Sequence, residues 1–170
     1  MKPVVLFSGP LTNKSLEYAW AEIKEYQARG ETEVGLIIRS DGGSGSKALD
    51  FADKLRELGV QTWAKIYRAE SAAAIIAMAA DRREMTKDAV FGVHLGAIAH
   101  VETSDLGERG EIPTRLFLEA KRVREGTLAL LAKVGLKAPS AVTDILLARN
   151  RLTLTAEECL KLGIVERIID

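Results

Sequence analysis

The stretch VGLIIRSDGG, residues 34–43, constrains the fold of this chain more than any other. Its first five residues carry no polar side chain, so a strand built from them has no face suited to water. Such strands sit in parallel sheets covered on both sides by crossover helices. Asp41, Gly42 and Gly43 then break the run. The neighbouring sequence keeps the same rhythm. PVVLF (3–7) reads as a buried strand and SGPLTN as a turn. From Asn13 to about Ala28, Leu16, Trp20, Ile23 and Tyr26 recur at helical spacing, and Gly30 ends that helix. Leu49, Phe51, Leu55 and Leu58 mark a second helix closed by Gly59. QTWAKIY (61–67) is a third strand and 71–80 a third helix. Strand and helix alternate three times, which predicts an α/β fold with a parallel sheet.

The second half is less regular. AVFGVHLG (89–96) and AIAHVE (97–102) read as short strands, followed by the polar TSDLGERGE. Pro113 opens a long helix to about Val134, with Ile112, Leu116, Ala120, Val123, Leu130 and Val134 on one side. That is more apolar surface than one small face buries, so the helix is expected to form an oligomer interface or a protruding arm, or else to run through the core of the monomer. A helix follows from Ser140 to about Ala148. Thr155 and Glu158 make a capping box for a short helix, and IVERIID is a last strand. No linker, repeat or low-complexity tract interrupts the chain, so residues 1–170 are expected to form a single domain.

Composition narrows the function. Lysine plus arginine is 24 and aspartate plus glutamate is 24, a balance that favours neither nucleic acid nor an anionic membrane as partner. No run of 18 apolar residues is present, and MKPVVLFSGPL lacks the apolar core of a secretion signal. A cytoplasmic location is the default expectation. Cys159 is the only cysteine, read as a small buried residue, so no disulfide forms within the chain. Two histidines and one cysteine, scattered, make no metal-ligand set, and no cofactor is expected.

Three elements carry the chemistry. SDGG leaves pliable backbone at the C-terminal end of a strand, where open α/β sheets bind ligands and where a backbone N–H can approach them. Ser71 follows a strand and opens the helix in AESAAAIIAMAAD. It is either a helix cap or a nucleophile beside the positive helix end, where the Ala72 N–H could hold an oxyanion. His94 ends the strand after that helix, as either a structural histidine or a base. Together they could supply oxyanion donor, nucleophile and base.

The order and spacing of these elements resemble the proteolytic subunit of the Clp protease (ClpP). Ser71 lies 28 residues after Gly43, and His94 lies 23 residues after Ser71. That family carries SPGG, a serine in an Ala-Ser-Met-Gly-Ala-like segment and a histidine in a Met-Ile-His-Gln-Pro-like segment at nearly these intervals. LFSGPLTN resembles the family's opening strand and turn, the 112–134 helix falls where its long handle helix lies, and LTAEECLKLGIVERII resembles its closing segment. The resemblance implies a ClpP/crotonase-like spiral of βα units with a protruding handle helix. It also implies a homo-oligomer of seven-membered, stacked rings that hydrolyses peptides or unfolded proteins. Ser71 would be the nucleophile, His94 the base, and Gly43 and Ala72 the oxyanion-hole donors.

The sequence also departs from that pattern. Where the family has its third catalytic residue, an aspartate, this chain reads ARNRLTLTAEE. Counting back from TAEE without a gap puts Arg151 there, and a one-residue shift puts Asn150, which is read either as an orienting residue for His94 or as a turn residue. Asp144 and Asp105 are alternative acids. Asp41 replaces proline in SDGG, Ala72-Ala73 replace Met-Gly, and Glu70 sets an acid beside the serine, expected to face solvent or pair with Arg68 or Arg39. The segment with which the family meets its AAA+ unfoldase has no counterpart in the sequence, which puts that docking in doubt. Besides a serine peptidase, the sequence admits a catalytically silent scaffold subunit of the same fold. A third reading is an acyl-CoA hydratase or isomerase of the crotonase group, with Glu70 as its acid.

Overall fold

A computed structural model describes residues 2–95, 114–137 and 139–170. The expected strand at 97–102 lies outside the described residues, as do Ile112, Pro113, His100 and Asp105. Strand β1 (Val4–Ser8) leads through helix α1 (Asn13–Ala28) to β2 (Glu33–Ser40). Helix α2 (Gly45–Glu57) leads on to β3 (Gln61–Glu70), and α3 (Ala72–Ala79) to β4 (Arg82–His94). Then come α4 (Thr114–Lys133), α5 (Pro139–Arg149), β5 (Arg151–Thr155), α6 (Ala156–Leu162) and β6 (Arg167–Ile169).

The sheet runs β1-β2-β3-β4-β5, with β6 also paired to β4. Strands β1 to β4 are mutually parallel, and β6 is parallel to β4. Each new strand adds on the same side of the last, and right-handed crossovers then put the connecting helices on one face. Helices α1, α2 and α3 accordingly touch one another in sequence. The core lies between them and the sheet: Val34, Leu36 and Ile38 of β2, Ala64 and Ile66 of β3, and Phe51, Leu55 and Ile76 from the helices. All eight residues of α3 are buried, since it is the central helix of the layer.

Two differences from the sequence reading have physical causes. Strand β4 begins at Arg82, seven residues before the expected start. RREMTK has a single apolar residue, Met85, and its charges hid the strand: Arg83 turns inward beside Met85 and is only 7% exposed. Its guanidinium donates to the carbonyls of Ile164 (2.7 Å) and Ala80 (2.5 Å) and pairs with Glu166 at 2.9 Å, stapling the C-terminal segment to the sheet. Strand β5 (RLTLT) was not expected at all. It is short, lies at the sheet edge, and pairs antiparallel with β4, joining His94 to Arg151 and Val90 to Thr155. The otherwise parallel sheet is therefore mixed.

Helix α4 is amphipathic only toward its C-terminal half, where Thr127, Leu130 and Leu131 are buried. Its N-terminal half is held to α2 by Arg122–Asp50 (2.5 Å) and by Ser46 donating to Glu119 (2.5 Å). Phe117 and Leu118 remain 59% and 55% exposed. Thr155 and Glu158 form the expected capping box of α6, and Cys159 is buried, which pushes its thiol up to about 12.

Candidate active site

Because β1 to β4 are parallel, their C-terminal ends meet at one edge of the sheet. That edge gathers the SDGG loop after β2, Ser71 after β3 and His94 at the end of β4. Strand β5 runs the other way, so its first residue, Arg151, arrives at the same edge.

The glycine loop is braced from below. The Ser40 hydroxyl donates to the Gly9 carbonyl (2.6 Å) and accepts from the Gly42 N–H (3.0 Å). Leu11 bridges to the far side: its N–H donates to Gly42 O (2.8 Å), and its carbonyl accepts from Ser44 N (3.0 Å). In this parallel bridge the Gly43 N–H points away from Leu11 and has no partner among the described residues. Glycine is required at both positions. A Cβ on Gly43 would overlap the Leu11 carbonyl. One on Gly42, at φ +99°, would lie 2.6 Å from Glu70 O, 2.8 Å from Ser71 Cβ and 2.9 Å from Ala72 N. The loop is thus pressed against the serine junction. Sequence reasoning missed the bracing by Ser40 and Leu11; the serine of SDGG was the only hint.

Ser71 sits at φ 55°, ψ −120°, a conformation strongly disfavoured for a residue with a side chain. Its own N–H is tied to Gly92 O at 2.8 Å, and its carbonyl accepts from Ala74 (3.1 Å) and Ile75 (3.3 Å). Its hydroxyl makes no capping bond to α3. A cap residue has extended backbone and a side chain bonded to the helix; Ser71 has neither. The N–H groups of Ala72 and Ala73 find no acceptor among the described residues, leaving orphan donors at the positive end of a buried helix.

Ser71 and His94 line one small cleft of about 160 Å³, together with Asp41, Glu70, Gly92 and Arg151. Burial first, and the Arg151 guanidinium second, hold the His94 imidazole below its ordinary pKa. No described residue is hydrogen-bonded to the His94 ring. Both acids of the cleft are engaged by Arg68, whose Nε donates to Asp41 and whose Nη2 pairs with Glu70. Glu70 therefore pairs as expected and does not escape to solvent; it lies along the cleft wall, close against Gly92. Arg39 instead stacks over Tyr67, 4.7 Å from the ring centroid.

Of the two readings of Asn150, orienting residue or turn residue, the structure places it at a turn. It is exposed, lies at φ 57° and does not line the cleft. Asparagine tolerates this left-handed conformation, and here it ends α5. Its N–H donates to Leu146 O (2.8 Å), and its carbonyl accepts from Leu95 N (3.2 Å), a backbone tie to the residue after His94. The residue brought beside His94 is Arg151, its cross-strand partner. Asp144 lies within α5 and is not among the described residues that line the cleft. Among the described residues, no group of histidine, cysteine and carboxylate side chains could hold a metal ion, and no helix is long and apolar enough to cross a membrane.

Solved structures share this architecture at low sequence identity. A peptidase from Plasmodium falciparum aligns over 98% of this chain and 95% of its own, with TM-score 0.78 and 12% identity. An asparagine-to-aspartate mutant of ClpP1 from Listeria monocytogenes aligns over 98% and 91%, with TM-score 0.74 and 19% identity. The fold is ClpP-like. A serine-to-alanine mutant of the membrane-bound stomatin-specific protease 1510-N shows the same ClpP-like architecture, with TM-score 0.74 and 16% identity over 99% of this chain and 81% of that one. No protein-family model matches the sequence, and no curated protein matches it.

Proposed function

We propose that this chain is a serine peptidase that hydrolyses peptide bonds through a Ser71–His94 pair and a backbone oxyanion hole. The observation that carries the reading is the state of Ser71. Its backbone is held in a strained conformation, and its hydroxyl is withheld from the helix it precedes. Strain of this kind persists where the surroundings enforce it and the geometry serves a function. A sharp strand-to-helix turn of this type presents a serine hydroxyl at the edge of an α/β sheet.

In the reaction, Ser71 Oγ attacks the peptide carbonyl while His94 accepts its proton. The Gly43 and Ala72 N–H groups receive the oxyanion. His94 returns the proton to the leaving amine, and water then releases the acyl group by the same steps in reverse. A lowered His94 pKa keeps the imidazole neutral, as a base must be. Asn150 contributes through its carbonyl, which anchors the end of β4. Exposed Phe117 and Leu118 support an assembly of several copies, in which α4 supplies the contact.

One observation favours a second reading. Arg151 stands where an orienting acid is expected and opposes charge on His94, as a catalytically silent scaffold subunit would tolerate. Turnover of a fluorogenic peptide by the purified chain, lost in Ser71→Ala, supports the peptidase. Absence of turnover together with co-assembly into rings with an active homologue supports the scaffold.

A further inference from the structure

The cleft is polarised. On its β3 side Asp41 and Glu70 are both tied to Arg68. On its β5 side Arg151 is paired with no carboxylate among the described residues, although it lines the same cleft. Strands β3 and β5 flank β4, so the two ends lie about 10 Å apart, two strand spacings. His94 and Arg151 are directly opposed in an antiparallel pair, which places their side chains as neighbours on one face of the sheet. Leu152 and Thr153 continue the wall beyond Arg151.

A cation in this position has two consequences. Alone, it repels the imidazolium that His94 becomes during proton transfer. Met by an anion, it is neutralised and that repulsion is relieved. No described side chain supplies the anion, but a substrate can. The planar guanidinium also suits a carboxylate in a two-point contact.

We propose that Arg151 is a specificity residue that binds a carboxylate of the substrate, an acidic side chain or the peptide's own C-terminus. An extended chain advances about 3.3 Å per residue, so the favoured carboxylate lies roughly two to three residues from the bond held at Ser71. The inference rests on the peptidase reading for the location of the substrate, and its test is independent of turnover.

The test uses full-length Ser71→Ala protein and three fluorescein-labelled hexapeptides, read by fluorescence anisotropy. One carries an internal aspartate and an amidated end, one a free C-terminal carboxylate without acidic side chains, and one is neutral and amidated. At least one carboxylate peptide should bind about five- to tenfold more tightly than the neutral one, the scale of one charged hydrogen bond in a partly exposed site. Which of the two binds identifies the source of the carboxylate. The preference should vanish when Arg151→Gln is added and survive in part with Arg151→Lys. It should also survive Arg149→Gln, which removes the same charge outside the cleft. Circular dichroism confirms that each variant is folded. Equal binding of the three peptides, no binding of any, or a preference that outlives Arg151→Gln would overturn the proposal. Peptide turnover by the chain with Ser71 intact is a separate measurement that bears on the peptidase reading alone.

Discussion

The two walls of the cleft are built to different standards. The Ser71 wall is over-determined: Ser40 and Leu11 brace the glycine loop, Gly42 presses on Ala72, and Gly92 pins the Ser71 N–H. The His94 wall is sparse. Among the described residues, His94 has Arg151 opposite it and no orienting acid, and the residue after it is tied by a backbone bond from Leu95 to Asn150. On the proposed peptidase reading, the nucleophile and oxyanion hole would thus be preorganised, whereas the base would depend on what its neighbourhood supplies. Rate should therefore be lost steeply by damage to the first wall and remain improvable at the second.

The largest effect expected is from Ser71→Ala, which should lower peptide turnover by at least about 10³-fold, the usual scale for a lost nucleophile. His94→Ala should follow at about 10²- to 10⁴-fold in kcat. Arg151→Asp sharpens the contrast from the other side. An acid opposite His94 would stabilise the imidazolium, so kcat should rise, by about tenfold or more, well within the 10⁴ that an orienting aspartate can contribute. The pH profile gives a smaller signal. The Arg151 charge disfavours protonated His94, so Arg151→Gln should raise the His94 pKa and move the acidic limb of kcat/KM to higher pH. A limb that stays put would detach Arg151 from His94.

The smallest effect is thermodynamic and separates a cap from a nucleophile. A capping serine replaced by alanine costs about 1 kcal/mol. Since Ser71 makes no capping bond, Ser71→Ala should leave the melting temperature nearly unchanged. Ser71→Gly should stabilise the fold by about 1 kcal/mol, through relief of the strained backbone.

Much of this was legible in the sequence because it follows from periodicity. VGLIIRS, QTWAKIY and the helix of Leu16, Trp20 and Ile23 carry unambiguous patterns, and α1 spans the expected Asn13–Ala28. The order of Gly43, Ser71 and His94 followed from strand ends in a parallel sheet. What stayed hidden lies where charged residues do structural work. Arg83 is buried in β4 by donating to three partners, and the charges of RREMTK gave no strand signal. RLTLT alternates polar and apolar over only five residues at a sheet edge, too short a run to stand out, and without β5 the pairing of His94 with Arg151 could not be read. Asn150 was read either as an orienting residue or as a turn residue, and its left-handed backbone stands at the turn from α5 into β5.

The most direct test of the central claim is labelling with a fluorophosphonate, read by intact mass on wild type, Ser71→Ala and His94→Ala. A single adduct on wild type, absent from both variants, is the predicted result and would mark Ser71 as a nucleophile activated by His94. No adduct on folded, assembled wild type would contradict it and leave the strained serine without a catalytic role.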